Sequence, residues 1–118
     1  MSQSKKRVLL VEDEPLLRKL IARVLERNGY MVVAKGDGTS AIEALETQRF
    51  DIALVDVNLG VGVSGLVVLQ TIKDHHPTTQ TILMSGDVDS IQAYNPSKQP
   101  TMYLSKPFRM ERLVGLLG

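Results

Sequence analysis

Four short apolar runs, each closing on a charged or hydroxyl residue, constrain this chain more than any other feature. Val8-Leu9-Leu10-Val11 ends in Glu12-Asp13, and Ile52-Ala53-Leu54-Val55 ends in Asp56. Thr81-Ile82-Leu83-Met84 ends in Ser85, and Met102-Tyr103-Leu104-Ser105 ends in Lys106. Apolar runs this short, separated by stretches of helical spacing, read as buried strands of a parallel sheet. The C-terminal ends of such strands share one edge, and an open α/β sheet binds its ligands there. The pattern gathers carboxylates, a hydroxyl and an ammonium at one place.

Between the runs the periodicity changes. A helix should start at Pro15, a favoured first-turn residue, with Leu16, Leu17, Leu20, Ile21, Val24 and Leu25 as its apolar stripe and Asn28-Gly29 as its end. Tyr30 to Ala34 is a further strand. Ser40 with Glu43 suggests a capping box for a second helix running to about Gln48. Asp51 to Val55 is the third strand, and Val57 to Ser64 is a glycine-rich loop. A third helix is expected from about Gly65 to His75, with Leu66, Leu69 and Ile72 inward and Pro77 beyond its end. Thr79 to Met84 and Met102 to Leu104 complete the strands, and Phe108 to Leu117 forms a last helix. The stretch between these two strands fits least well. Only Asp89 to Tyr94 looks helical before Pro96 and Pro100, so the fourth helix should be one or two turns followed by an irregular segment. Strand and helix alternate throughout, which gives a parallel sheet with helices on both faces.

The chain has 118 residues, the usual size of one domain, and can bury roughly two thirds of its unfolded surface. It lacks cysteine, which excludes disulfides and thiolate metal sites. A formal net charge of +1 gives no global attraction to nucleic acid. Lys5-Lys6-Arg7 precedes an apolar run too short for a signal peptide or a membrane span, so a soluble, cytoplasmic protein with no membrane association is expected.

If the first and third strands are neighbours, Glu12, Asp13 and Asp56 converge. Carboxylates a few ångströms apart repel by roughly 4 kcal/mol per pair at intermediate dielectric. Such a cluster persists by taking up protons or by holding a cation. All the candidate ligands are oxygen, which favours a hard divalent ion, and magnesium commonly combines one or two carboxylates with a phosphate oxygen. Asp56 would remain partly free as a nucleophile toward a phosphoryl group. Lys106 would supply positive charge and Ser85 a hydrogen bond to a phosphoryl oxygen, since phosphoryl transfer needs alignment and charge neutralisation above all. Each residue alone has an ordinary reading: acids favour helix N-termini, aspartate and Ser-Gly favour turns, and a lysine before proline is often a solvated loop residue. Their joint placement at the strand ends is what points to a site.

In these segments the chain resembles the receiver domain of bacterial two-component response regulators. The stretches are Val8 to Pro15, Asp51 to Leu59, Ile82 to Gly86 and Tyr103 to Phe108, in order, and the resemblance covers essentially the whole chain as one domain, 1–118, with no output domain expected in it. It implies a flavodoxin-like (βα)5 three-layer sandwich with strand order 2-1-3-4-5. It implies that Asp56 accepts a phosphoryl group from a histidine kinase or histidine phosphotransfer protein. Mg2+ would be held by Glu12, Asp13, Asp56 and the backbone carbonyl of Asn58, with Ser85 and Lys106 on the phosphoryl group. Tyr103 would be the switch aromatic that moves with Ser85, and the Lys106–Pro107 bond would be cis. The product would be a phosphorylation-activated switch, not an enzyme with an external substrate, acting as a monomer or weak dimer on a downstream protein or output domain and not directly on nucleic acid. The chain departs from the family pattern at Gly60, where many receivers have proline, in a loop to Gly65 about one residue longer than usual, and at Asp87, two residues after Ser85.

Two other readings compete. A phosphatase of the haloacid dehalogenase type also uses a strand-end aspartate, but needs a second aspartate two positions on, where this chain has Asn58. The domain could also act as an unphosphorylated binding module or a phosphate sink. His75-His76 suits a helix C-terminus, Tyr94 reads as a satellite core residue, and Leu113, Val114, Leu116 and Leu117 read as core.

Overall fold

Helical and extended segments alternate as the periodicity requires. The computed structural model describes residues 5–87 and 102–118. Its elements are β1 (Arg7–Val11), α1 (Pro15–Arg27), β2 (Met31–Lys35), α2 (Gly38–Thr47), β3 (Ile52–Asp56), α3 (Gly65–His75), β4 (Gln80–Ser85), β5 (Met102–Ser105) and α4 (Met110–Leu117). The short fourth helix expected across Asp89 to Tyr94, and Tyr94 itself, lie outside the described residues, so α4 here is the helix after β5. All neighbouring strands pair in parallel, in the order β2-β1-β3-β4-β5.

The two-residue period of the strands divides the core into two. Leu9, Val11, Ala53, Val55 and Leu83 face α2 and α3, where they meet Ala41, Leu45, Val68, Leu69 and Ile72. Val8, Leu10, Ile52, Leu54, Ile82, Met84 and Leu104 face the other way onto Ile21 and Leu25 of α1 and Leu113 and Leu117 of α4. Three layers result. The central strands are apolar from Val8 to Val11, Ile52 to Val55 and Ile82 to Met84 because both of their faces are covered. A fully buried aliphatic side chain contributes roughly 1.5–3 kcal/mol, which makes β1 and β3 a rigid base for whatever follows their last residues.

The helix starts show where local chemistry departs from the expected pattern. Glu14 caps α1, its carboxylate accepting from the backbone N–H groups of Leu16 and Leu17, with Pro15 in the first turn. The capping box expected from Ser40 and Glu43 does not form. Asp37 is the cap of α2, and Ser40 lies inside the helix, donating its N–H to Asp37 Oδ1 at 2.7 Å. An aspartate three residues earlier fills the same role and adds three residues to the helix front. Ser64 caps α3. The stripe on α1 is narrower than the sequence suggests: Ile21 and Leu25 are buried, but Leu16 and Leu20 stay 75 % and 48 % exposed. A single sheet face covers only one side of a helix, so two leucines are left over. The last helix begins at Met110, two residues after Phe108.

Candidate functional site

Each proposed side chain follows a buried strand or closes one. Glu12 and Asp13 come directly after β1, Asp56 is the last residue of β3, Ser85 is the last of β4, and Lys106 follows β5. The β1–β3 register pairs Val11 with Val55, so the next residues of both strands emerge side by side. Candidate ligand oxygens of Glu12, Asp13 and Asp56 all lie within 4.8 Å of one another. Glu12 is fully buried, Asp56 nearly so, and Asp13 is exposed.

Lys106 enters this cluster. Its Nζ donates to Glu12 Oε1 at 2.7 Å and to Asp56 Oδ2 at 2.6 Å. The remaining oxygens are held by backbone. Glu12 Oε2 accepts from the N–H of Glu14 at 3.1 Å, and Asp56 Oδ1 accepts from the N–H of Asn58 at 3.0 Å. Burial pushes the Glu12 carboxyl above its usual range, and the Asp56 charge adds to this, while Lys106 and the Glu14 N–H work the other way. Burial would lower the Lys106 ammonium, but its hydrogen bonds to Asp56 and Glu12 outweigh this and hold it above its ordinary value. The lysine is thus firmly protonated and the pocket keeps two formal negative charges, three carboxylates against one ammonium.

Ser85 is buried at the same sheet edge, pairs with Ser105 in the β4–β5 register, and accepts the Asp87 N–H at its Oγ, which leaves its own proton for donation. Asn58 is exposed, just past Asp56. Tyr103 is half-buried on β5, in register with Leu83, and packs against the core beneath α2 and α3, and burial raises its phenol pKa. The Lys106–Pro107 bond is cis.

The loop after Asp56 is shaped by two glycines. Gly60 has φ +73°, which a proline ring cannot adopt, so this loop cannot follow the proline-bearing pattern. A side chain there would come within 3.5 Å of Asp13 Oδ2, so the loop backbone borders the acidic pocket. At Gly65 a Cβ would lie 2.0 Å from the carbonyl oxygen of Asp56. The first residue of α3 therefore has to be glycine if Asp56 is to stay where it is.

Sequence reasoning missed Glu14 as a cap, although an acid directly before a first-turn proline is a helix-start signal. It also missed Arg18, whose Nη1 donates to the backbone carbonyls of Glu12 at 2.9 Å and Asp13 at 3.4 Å. No local pattern marks that contact.

Fold and site together define a doubly wound α/β domain with an acidic, lysine-bridged pocket at the C-terminal edge of its sheet. The chain belongs to the response regulator receiver domain family, whose sequence model matches residues 8–117. It is 34 % identical over 110 residues to the transcriptional activator protein PfeR of Pseudomonas aeruginosa, covering 91 % of this chain and 35 % of PfeR. This chain therefore spans about a third of that relative's length. The solved chemotaxis response regulator CheY4 of Vibrio cholerae superposes with a TM-score of 0.87 at 25 % identity, covering 97 % of each chain. The receiver domain of sensor histidine kinase PA1611 from Pseudomonas aeruginosa, solved with a magnesium ion coordinated in its active site cleft, gives 0.84 at 28 % identity, covering 97 % of this chain and 95 % of that one. Among the described residues no helix is long and apolar enough to cross a membrane.

Proposed function

We propose that this receiver domain is a phosphorylation-activated switch that takes a phosphoryl group onto Asp56 from a phosphohistidine of a histidine kinase or histidine phosphotransfer protein. The observation that carries the reading is the Lys106 ammonium bridging Glu12 and Asp56 inside a pocket that retains two negative charges. In the transfer a carboxylate oxygen of Asp56 forms a bond to phosphorus as the phosphorus–nitrogen bond breaks. The bonding pair leaves with the imidazole nitrogen, and because the ring's other nitrogen carries a proton in the phosphohistidine, the histidine departs neutral. Lys106, already touching Asp56, stays protonated and compensates charge on the transferred group. The Ser85 hydroxyl donates a hydrogen bond to one of its oxygens.

The donor set is all oxygen, and its three carboxylates less the Lys106 ammonium leave the charge that one dication balances, which fits Mg2+. Glu12, Asp13, Asp56 and the Asn58 backbone carbonyl would hold it, and the magnesium in the PA1611 receiver's cleft supports the assignment. When bound, Mg2+ supplies neutralisation of phosphoryl oxygen charge. The exposed Leu16 and Leu20 of α1, near in sequence to Leu17 of the Leu17–Lys106–Phe108 cavity, favour a protein phosphodonor. Phosphorylation adds nearly two negative charges, which Ser85 and Tyr103 would convert into a new surface for a downstream protein or output domain. On this reading the domain assists only its own phosphorylation and dephosphorylation, works in the cytoplasm as a monomer or weak dimer, and contacts no nucleic acid itself. Incubation with acetyl phosphate and Mg2+ should add one phosphoryl group by intact mass, and Asp56→Asn should add none. Equal labelling of that variant would refute the assignment.

A further inference from the structure

Arg18 is a cation at the rim of an acidic pocket, yet it does not pair with the acids. Among the described residues its guanidinium makes no ion pair with a carboxylate, and its Nη1 donates instead to the main-chain carbonyls of Glu12 and Asp13. The Glu12 peptide is held from its other side as well, its N–H donating to the Lys35 carbonyl at 3.0 Å. Gly36, directly after β2, makes room for this arrangement. A Cβ at that position would lie 2.9 Å from Arg18 Nη1 and 3.4 Å from Cζ. The exposed Asp13 carboxylate has no hydrogen-bond partner among the described side chains and backbone groups, so the main chain alone aims it.

We infer that Arg18 is a positioning residue for cation uptake: seated in the space left by Gly36, it pins the main chain of Glu12 and Asp13 so that both carboxylates face one point. This rests on the divalent-cation reading given above. The geometry separates positioning from simple charge. A guanidinium acting only through its field would oppose a dication, and its removal would tighten binding. A guanidinium that holds the ligand-bearing backbone does the opposite, because outer partners of metal ligands typically contribute about 10–100-fold in affinity. Spending the guanidinium on carbonyl oxygens leaves the carboxylate lone pairs free for the ion.

The test is calorimetric titration of the purified chain with MgCl2 at neutral pH, together with thermal melts in EDTA to establish folding. Arg18→Met keeps an apolar stem and should weaken Mg2+ binding at least about tenfold. Gly36→Ala keeps the charge but crowds the guanidinium, and should weaken binding in the same direction. The double variant should be no weaker than Arg18→Met alone, because both changes act on one contact. Arg18→Lys should recover part of the loss. Unchanged or tighter binding in Arg18→Met, or wild-type affinity in Gly36→Ala, would overturn the inference while leaving the metal site standing. A wild-type chain that takes up no Mg2+ would overturn the cation reading itself, and this inference with it.

Discussion

Replacing Lys106 with methionine tests the electrostatics of the pocket most directly. The ammonium touches two carboxylates at 2.7 and 2.6 Å, each contact worth about 6 kcal/mol of gross attraction at an effective dielectric of about 20. Most of that offsets desolvation, and breaking a buried pair generally costs about 3–5 kcal/mol. An independent ceiling exists. The stranded Glu12 can escape its repulsion by protonating, and for a carboxyl of ordinary pKa 4.5 that costs about 3.4 kcal/mol at pH 7. The defect in EDTA should therefore be about 3 kcal/mol, roughly 10 °C in melting temperature. At pH 5 the same ceiling falls to about 0.7 kcal/mol, so the defect should nearly vanish. Lys106 is held above its ordinary value, so its contribution is complete at both pH values and is lost only above about pH 10.5. The pH dependence of the defect thus comes from the acids. Removing a positive charge beside a dication site should also tighten Mg2+ binding about tenfold while abolishing efficient phosphorylation. Urea titrations in EDTA at pH 7 and pH 5, with a Mg2+ titration, measure all of this. Equal stability of variant and wild type at pH 7, or a defect as large at pH 5, would refute the reasoning.

Gly65→Ala should lower stability by about 3 kcal/mol and reduce acetyl phosphate labelling of Asp56, because its Cβ would sit 2.0 Å from the Asp56 carbonyl oxygen; denaturant midpoint and intact mass read the two effects. Asp37→Ala should lower the urea midpoint without changing the slope. The Asp37 carboxyl lies below its ordinary 3.8 because it accepts from Ser40, so its contribution is present above that pH and fades as the pH falls through the depressed value; acid unfolding of the two proteins should converge there. In the wild type without metal, Glu12 lies above 4.5, so the folded state binds the extra proton and this residue's contribution to stability falls as the pH rises from 4.5. Stability curves in EDTA for wild type and Glu12→Gln should separate in that direction.

The strands were legible because a sheet covered on both faces needs apolar residues at every position, and such runs stand out in any sequence. The polar residues closing them were legible for the same reason, since a carboxylate directly after such a run breaks the apolar pattern. Helix ends were less so. Ser40 and Glu43 match a capping box in spacing, but Asp37 starts the helix earlier, and local pattern has no means of ranking two adequate caps. Leu16 and Leu20 match the apolar period of α1 but lie on a flank that the sheet does not cover, a fact of tertiary packing alone. Arg18 and Gly36 were invisible because their meeting depends on how α1 crosses the end of β2.

The sign of charge in the pocket follows from these same constraints. Strand ends brought together by a parallel register cannot disperse their carboxylates, because β1 and β3 are fixed by buried aliphatic side chains on both faces. One lysine, directly after β5, compensates part of the repulsion through its bonds to Glu12 and Asp56. A second lysine would leave the pocket only one charge short and weaken its pull on a dication. With only one, the pocket is left two charges short of balance, and the Asp56 charge adds to the burial that raises the Glu12 pKa. Neutralising the pocket from outside should therefore stabilise the domain. Mg2+ added to the wild type should raise its melting temperature, and it should raise that of Lys106→Met by more.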